Sequence, residues 1–234
     1  MRKKKEYWFP GSIEIEEYVD GRYGSPGEKR KKKQEVTPEK IKKINRLNKS
    51  KKARRMIKNN FFPGDYYITL TFEKDKRPKN ILEAKKIWQD MQRKIRRECK
   101  KQGKEFKWIV LIERGAKGAV HGHLIMNKIE NGHEFIQKCW NYGKVYFQLL
   151  YEEGGYKDLA DYITKDVGDE EKSYYSHSRN LPIPKPRIKK IKGKWKEPKA
   201  YKGYEIDKNS IIDGINAIGF RYRSYTMVKL DRRI

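Results

Sequence analysis

Apolar positions between residues 61 and 167 switch repeatedly between strand-like and helix-like spacing. Residues 66–73 form a strand-like run, and Ile81, Ala84, Trp88, Met91 and Ile95 then recur three and four apart, predicting a long amphipathic helix that ends near Gly103. Residues 106–114 are strongly apolar and carry a carboxylate, Glu113, near their end; Gly115 to Gly118 then turn the chain into a second strand at 120–126. A shorter helix at 133–142, with Phe135, Ile136, Cys139 and Trp140 as its apolar residues and Gly143 closing it, leads to a strand at 144–151. A last helix opens after Gly154 and Gly155, ends before Gly168, and buries Leu159, Ile163 and Val167.

The order β-α-β-β-α-β followed by a helix predicts an α+β core of the ferredoxin-like, split β-α-β kind. Its antiparallel sheet has helices packed on one face, and the last helix lies across the other. The flanks read differently. Residues 1–60 are basic and the least core-like, with a loop from Gly21 to Gly27 and a charge run from Lys29 to Lys33. A basic helix from Thr37 and Pro38 to Asn59 has only a thin apolar stripe, Ile41, Ile44 and Met56, which predicts marginal packing and ordering on DNA. Beyond Val167, residues 182–198 read as an extended basic segment, and 201–206, 210–218 and 222–230 as strand, helix and strand that extend the sheet or form a small lid. The chain is therefore divided into a basic N-terminal extension (1–60), a core (61–170) and a basic C-terminal extension (171–234).

Charge turns this outline toward a partner. Lys and Arg number 58 against 31 Asp and Glu, a net charge of +27, which predicts a polyanionic partner bound with salt-sensitive affinity. Five Trp and sixteen Tyr supply faces on which unpaired bases can stack. The two cysteines, Cys99 and Cys139, have no short-spaced partner, so they form no zinc signature and fit a reducing cytoplasm. No apolar run approaches membrane-spanning length and no apolar segment follows Met1 to Lys5, so a cytoplasmic protein with no membrane partner is expected. The absence of a Gly-x-x-x-x-Gly-Lys-Ser/Thr run argues against an ATPase.

The candidate chemistry sits on the strand at 120–126. His121 and His123 are two apart, so both imidazoles share one face of that strand. The preceding hairpin brings Glu113 beside them, completing a His/His/carboxylate set suited to Mn²⁺ or Mg²⁺, with Zn²⁺ or Co²⁺ as alternatives. On the last helix Tyr162 falls at the edge of the buried stripe, its ring on the core and its hydroxyl outward, with Lys165 beside it. Taken singly, each residue has a plainer structural reading. Strand histidines are more often structural, Glu113 could pair with Arg114 or a lysine, a tyrosine commonly caps a helix stripe, and Lys165 fits a solvated surface. The outer face of the long helix (Lys85, Lys86, Arg93, Lys94, Arg96, Arg97) is likewise either solvated or phosphate-facing.

His-x-His on one strand, a carboxylate on the strand before it and Tyr-x-x-Lys on a later helix together resemble the HUH endonuclease superfamily. The resemblance is in particular to its single-tyrosine rolling-circle replication initiators of plasmids, phages and small single-stranded DNA viruses. The run 66–72 resembles that family's first motif, and the likeness spans about residues 61–167. One departure is Gly122, where the family usually places a bulky apolar residue between the histidines; this removes a packing group but leaves both imidazoles. The resemblance implies metal-dependent nicking and joining of single-stranded or hairpin origin DNA. Tyr162 would be the nucleophile that forms a 5′-phosphotyrosine, Lys165 its helper, and Glu113, His121 and His123 the ligands of the metal ion. It also implies a host helicase and polymerase as partners. Tyr156, six residues before Tyr162, turns to the apolar side, which favours a single-tyrosine enzyme; Tyr174 and Tyr175 remain as possible helpers. A mobilisation relaxase or tyrosine transposase would share this chemistry, and a non-catalytic nucleic-acid-binding domain would share the sheet and the charge.

Overall fold

The computed structural model describes residues 1–20, 37–115, 118–151, 156–165, 172–216 and 219–230. The loop and charge run placed between Gly21 and Lys33, the Gly154–155 loop, and the helix end at Val167 and Gly168 lie outside the described residues. The elements in chain order are β1 (Arg2–Trp8), β2 (Ser12–Val19), α1 (Pro38–Asn60), β3 (Tyr66–Thr71), α2 (Ile81–Lys101), β4 (Trp108–Arg114), β5 (Val120–Met126), α3 (Gly132–Cys139), β6 (Val145–Leu149), α4 (Lys157–Ile163), β7 (Ser173–His177), β8 (Arg187–Ile191), β9 (Tyr204–Ile215) and β10 (Arg221–Lys229). They form two compact units, one of residues 1–42 with 184–234 and one of residues 43–183. Among the described residues no helix is long and apolar enough to cross a membrane.

The unit of residues 43–183 is built on a five-stranded sheet of order β6-β3-β5-β4-β7, every neighbouring pair antiparallel. Period-two alternation gives this sheet two apolar faces. Ile68, Leu70, Val110, Ile112, Leu124 and Met126 point to the first, where they pack with Ile81, Ala84, Trp88, Met91 and Ile95 of α2 and Ile136 of α3. α2 starts at Asn80, whose side chain accepts from the Glu83 N–H at 2.9 Å, an N-cap that satisfies one orphan donor of the first turn.

The second face, carrying Ile109, Leu111 and Ile125, is covered by α4 residues Ala160 and Ile163 and by the C-terminal half of α1. This corrects the expectation of a marginally packed first helix. Ala53, Met56 and Ile57 are fully buried, whereas Ile41 and Ile44, the first half of the expected stripe, stand 46% and 41% exposed. The buried set runs 53, 56, 57, 60, a true helical stripe hidden in the sequence by interleaved lysines and arginines.

The terminal unit is a second antiparallel five-stranded sheet, of order β8-β1-β2-β10-β9. Its core is small: Ile13 and Ile15 of β2 with Tyr225 and Met227 of β10, flanked by Trp8, Tyr201, Tyr204 and Ile206. The first twenty residues, expected to be the least core-like, thus supply two sheet strands, because Ile13 and Ile15 alternate with glutamates along β2. The helix expected at 210–218 is also corrected: β9 runs unbroken to Ile215, pairing Ile212 with Ser224 and Ile215 with Arg221. Ile211 and Ile212 mimic a helical apolar pair, but β-branched residues beside an available strand favour the ladder.

Candidate functional site

Strand register builds the site on the second face of the 43–183 sheet. Glu113 on β4 and Thr71 on β3 lie directly opposite His121 on β5, and Leu111 and Thr69 lie opposite His123. Alternation then puts Thr69, Thr71, Glu113, His121 and His123 on one face. The intervening Gly122 looks to the other face, toward Leu70 and α2, as its position between the two histidines requires. The β4–β5 turn is held by Arg114, whose guanidinium donates to the carbonyls of Gly118 (3.0 Å) and Lys79 (2.9 Å). Arg114 is therefore engaged by backbone and does not neutralise Glu113.

α4 brings the fourth component. Its buried residues Ala160 and Ile163 seat it against the sheet, with Leu159 partly buried at the margin. Ser50 of α1 hydrogen-bonds Asp161, tying the two helices of this face together. Thr164 ends α4, its hydroxyl donating to the Ala160 carbonyl at 2.7 Å, so Lys165 lies in a closing turn with its N–H on the Tyr162 carbonyl at 3.2 Å.

The result is a tight cluster. The Tyr162 hydroxyl donates to Glu113 Oε1 at 2.5 Å and lies 3.0 Å from His123 Nε2. Glu113 Oε1 is 3.3 Å from the same nitrogen, and Lys165 Nζ is 2.8 Å from Glu113 Oε2. The lysine nitrogen also sits 4.3 Å above the centre of the Tyr162 ring, so one cation contacts both the carboxylate and the phenol. Behind His123, the Tyr67 hydroxyl and Thr69 Oγ1 stand 3.2 and 3.3 Å from Nδ1, and the Tyr67 and His123 rings are nearly parallel. These two contacts fix the imidazole orientation with Nε2 toward Tyr162.

Burial and charge set the ionisation of these groups. Burial alone would raise the Glu113 carboxyl, but hydrogen bonds from His123, Lys165 and Tyr162 and the lysine charge outweigh it and hold the group down at about 2. The Tyr162 phenol is pushed well above its ordinary value, first by burial and then by its hydrogen bond to Glu113 and that group's charge. Burial, reinforced by the Glu113 charge, raises Tyr67 to about 12. Burial and the neighbouring His123 lower His121. The arrangement is thus a carboxylate kept ionised beside a phenol kept protonated.

All five residues expected at the site, Glu113, His121, His123, Tyr162 and Lys165, lie on or against this one face. Glu113, His123, Tyr162 and Lys165 are in mutual contact, and His121 is placed beside them by its pairing with Glu113. A carboxylate and an imidazole converging on one point are a donor pair suited to Mn²⁺ or Mg²⁺. In this conformation the Tyr162 hydroxyl fills that point, and no three His, Cys, Asp or Glu side chains among the described residues stand in ligating arrangement. The other two histidines are elsewhere: His133 packs on Phe147 and His177 on Tyr175. Tyr156 is buried in the α4-side core, and Tyr174 packs on the opposite face with Lys85 above its ring. Tyr175 is buried among the α4-side residues, and that burial raises its phenol.

Sequence reasoning missed Tyr67 and Thr69. The signal was available, since residues 67, 69 and 71 are the odd positions of β3 and must share the face opposite to Ile68 and Leu70.

Residues 65–167 match a family model of replication-associated proteins, the ORF2 family, a stretch that runs from the start of β3 past α4 and contains every residue of this cluster. No curated protein matches the chain.

Proposed function

We propose that this protein nicks and rejoins single-stranded DNA by transesterification, with Tyr162 as the nucleophile, to initiate rolling-circle replication of a plasmid, phage or related element. The observation that carries this reading is the contact of one phenol oxygen with both Glu113 and His123, at 2.5 and 3.0 Å. A purely structural tyrosine has no need of a carboxylate, an imidazole and a lysine ammonium around its hydroxyl. The match of residues 65–167 to a replication-associated family supports the biological setting. The strand order β6-β3-β5-β4 supports the ferredoxin-like arrangement, and the HUH superfamily is the class whose motifs these residues resemble.

In this reading Glu113 and His123, with His121 beside them, hold a divalent cation, Mn²⁺ or Mg²⁺. When bound it would polarise a non-bridging oxygen of the scissile phosphate and offset charge in the transition state. Tyr162 Oη forms the new bond to phosphorus, the bond from phosphorus to the 3′ oxygen breaks, and the products are a 5′-phosphotyrosine and a free 3′-hydroxyl. The phenol proton, directed at Glu113 Oε1 in the resting state, must leave before or during attack. Lys165 favours the phenolate because its ammonium lies over the ring. Tyr67 and Thr69 keep His123 Nε2 aimed at the reacting oxygen. The free 3′ end suits extension by a host polymerase, with strand separation by a host helicase, and attack of that 3′ end on the phosphotyrosine restores the DNA without ATP.

The test is a denaturing gel of protein incubated with labelled single-stranded origin DNA and Mn²⁺. Wild type is expected to give a covalent adduct and Tyr162→Phe none, with DNA binding retained. An undiminished adduct in Tyr162→Phe would remove Tyr162 as nucleophile, and absence of any adduct with wild type would leave a binding fold.

A further inference from the structure

We propose that the terminal unit carries a phosphate-binding site of its own, centred on Arg2 and Trp195, which takes a backbone phosphate of a nucleic-acid strand. This inference does not depend on the nicking site, which belongs to the other unit. Arg2 opens β1 and is only 4% exposed, yet among the described residues its Nε and one Nη are buried with no hydrogen-bond partner. A guanidinium is always charged and presents its donors in a fixed fork, so burying two of them unmet is among the more expensive arrangements a small sheet can hold. An oxyanion seated on that fork removes the cost.

The surroundings are shaped for such a ligand. The half-buried indole of Trp195 collects three guanidiniums, with Arg2, Arg221 and Arg223 carbons 4.7, 4.8 and 5.5 Å from its ring centre. Arg2 comes from β1 and the other two from β10, on either side of β2. One carboxylate serves two of the three: Asp213 Oδ1 and Oδ2 accept from Arg221 at 3.0 and 2.8 Å, and Oδ2 accepts from Arg223 Nε at 2.8 Å. Arg223 spends a further donor on the Lys196 carbonyl at 2.7 Å. The other buried acids of this face lie further along the strands. Glu6 is already shared by Lys4, Lys189 and Tyr201, and Glu17 stands in register with Lys4 and Arg223. Asp213 thus leaves Arg2 as the guanidinium of the three with buried donors unmet, and a planar, bidentate oxyanion is what its fork fits.

The choice of a nucleic-acid phosphate follows from the rim. Lys192, Lys194 and Lys196 are exposed on the segment that carries Trp195, so further phosphates along a strand would meet further cations. An indole beside a phosphate site is also a face on which a base can stack.

The site can be tested on the full chain without divalent metal, at constant ionic strength, using inorganic phosphate and a short oligothymidylate as probes. Tryptophan emission of wild type is expected to change with each probe, the oligothymidylate displacing phosphate, and Trp195→Phe is expected to lose the phosphate response. Arg2→Gln should weaken phosphate binding at least about tenfold, the scale of a lost charge-assisted bidentate contact. Arg2→Lys should recover it only in part, since it restores charge but not the fork. If Arg2→Gln does not fold, the comparison of wild type with Trp195→Phe still decides. Equal responses in wild type and Trp195→Phe, or no response to either probe, would overturn the site. A phosphate response that oligothymidylate fails to displace would overturn the nucleic-acid assignment.

Discussion

The Tyr162 hydroxyl donates to Glu113 Oε1 at 2.5 Å, so the phenol and the carboxylate of this site are joined by the shortest contact in the cluster. Glu113 is 7% exposed and also carries the Lys165 ion pair. Replacing it by glutamine leaves Lys165 without its anion. Glu113→Gln should therefore lower stability by about 1–3 kcal/mol, read from denaturant midpoints, and abolish metal-stimulated nicking. A variant that nicks normally would separate the carboxylate from the chemistry.

Tyr67 acts on His123 rather than on substrate. Its hydroxyl is 3.2 Å from Nδ1, and Thr69 backs it at 3.3 Å. Tyr67→Phe is expected to raise the half-saturating Mn²⁺ concentration for nicking by about 10-fold, as for other contacts that orient a ligating imidazole. The double variant with Thr69→Val should do more than either alone. A change in rate with no shift in ion dependence would argue against an orienting role.

Gly122 faces a small apolar void of about 10 Å³ between the sheet and α2, lined by Leu70, Phe72, Ala84, Trp88 and neighbours. An added Cβ would lie 3.5 Å from Leu70, an ordinary contact. Gly122→Ala should thus stabilise the protein by about 0.5–1 kcal/mol, because a strand interior gains from losing a glycine. Equilibrium unfolding would show this as a raised midpoint with unchanged slope.

Gly143 behaves in the opposite way, and for a different reason than the helix-closing role its position suggested. Helix α3 ends at Cys139, and a Cβ on Gly143 would collide with the Thr71 carbonyl oxygen and stand 2.9 Å from the Glu73 nitrogen. Thr71 ends β3 directly opposite His121. Gly143→Ala should cost about 1–3 kcal/mol of stability and lower nicking, because the shift falls on the strand end beside the site. Wild-type stability in this variant would refute the close approach.

Acid should loosen the terminal sheet through Glu6. The residue is fully buried; burial pushes its carboxyl up, but hydrogen bonds from Tyr201 and Lys189 and the charges of Lys189 and Lys4 outweigh this and bring it below its ordinary 4.5. A depressed folded value means the stabilisation is present above the unfolded value and fades as pH falls through the folded one. Urea titrations at stepped pH should show stability falling below about pH 4.5 in wild type, while Glu6→Gln should be lower at neutral pH and flatter in acid. Identical slopes would remove Glu6 from the acid response.

Much of the 43–183 unit was legible in the sequence because its signals are local. Ile81, Trp88 and Ile95 mark α2 by spacing alone, and the two-residue step from His121 to His123 dictates a shared face whatever the fold. The hairpin from β4 to β5 is short enough that Glu113 had to return beside His121. What required tertiary structure was every relation across distant segments. Tyr162 meets His123 only because Ala160 and Ile163 seat α4 on the sheet, and α1 is a packed helix because that same face offers Ala53 and Ile57 a place to bury. The lysine-rich termini become a sheet only when β1 and β2 find β8 and β10, near the other end of the chain. Side-chain periodicity is written residue by residue, whereas pairing over such separations depends on which partner buries the most apolar surface, and that choice is made by the whole chain at once.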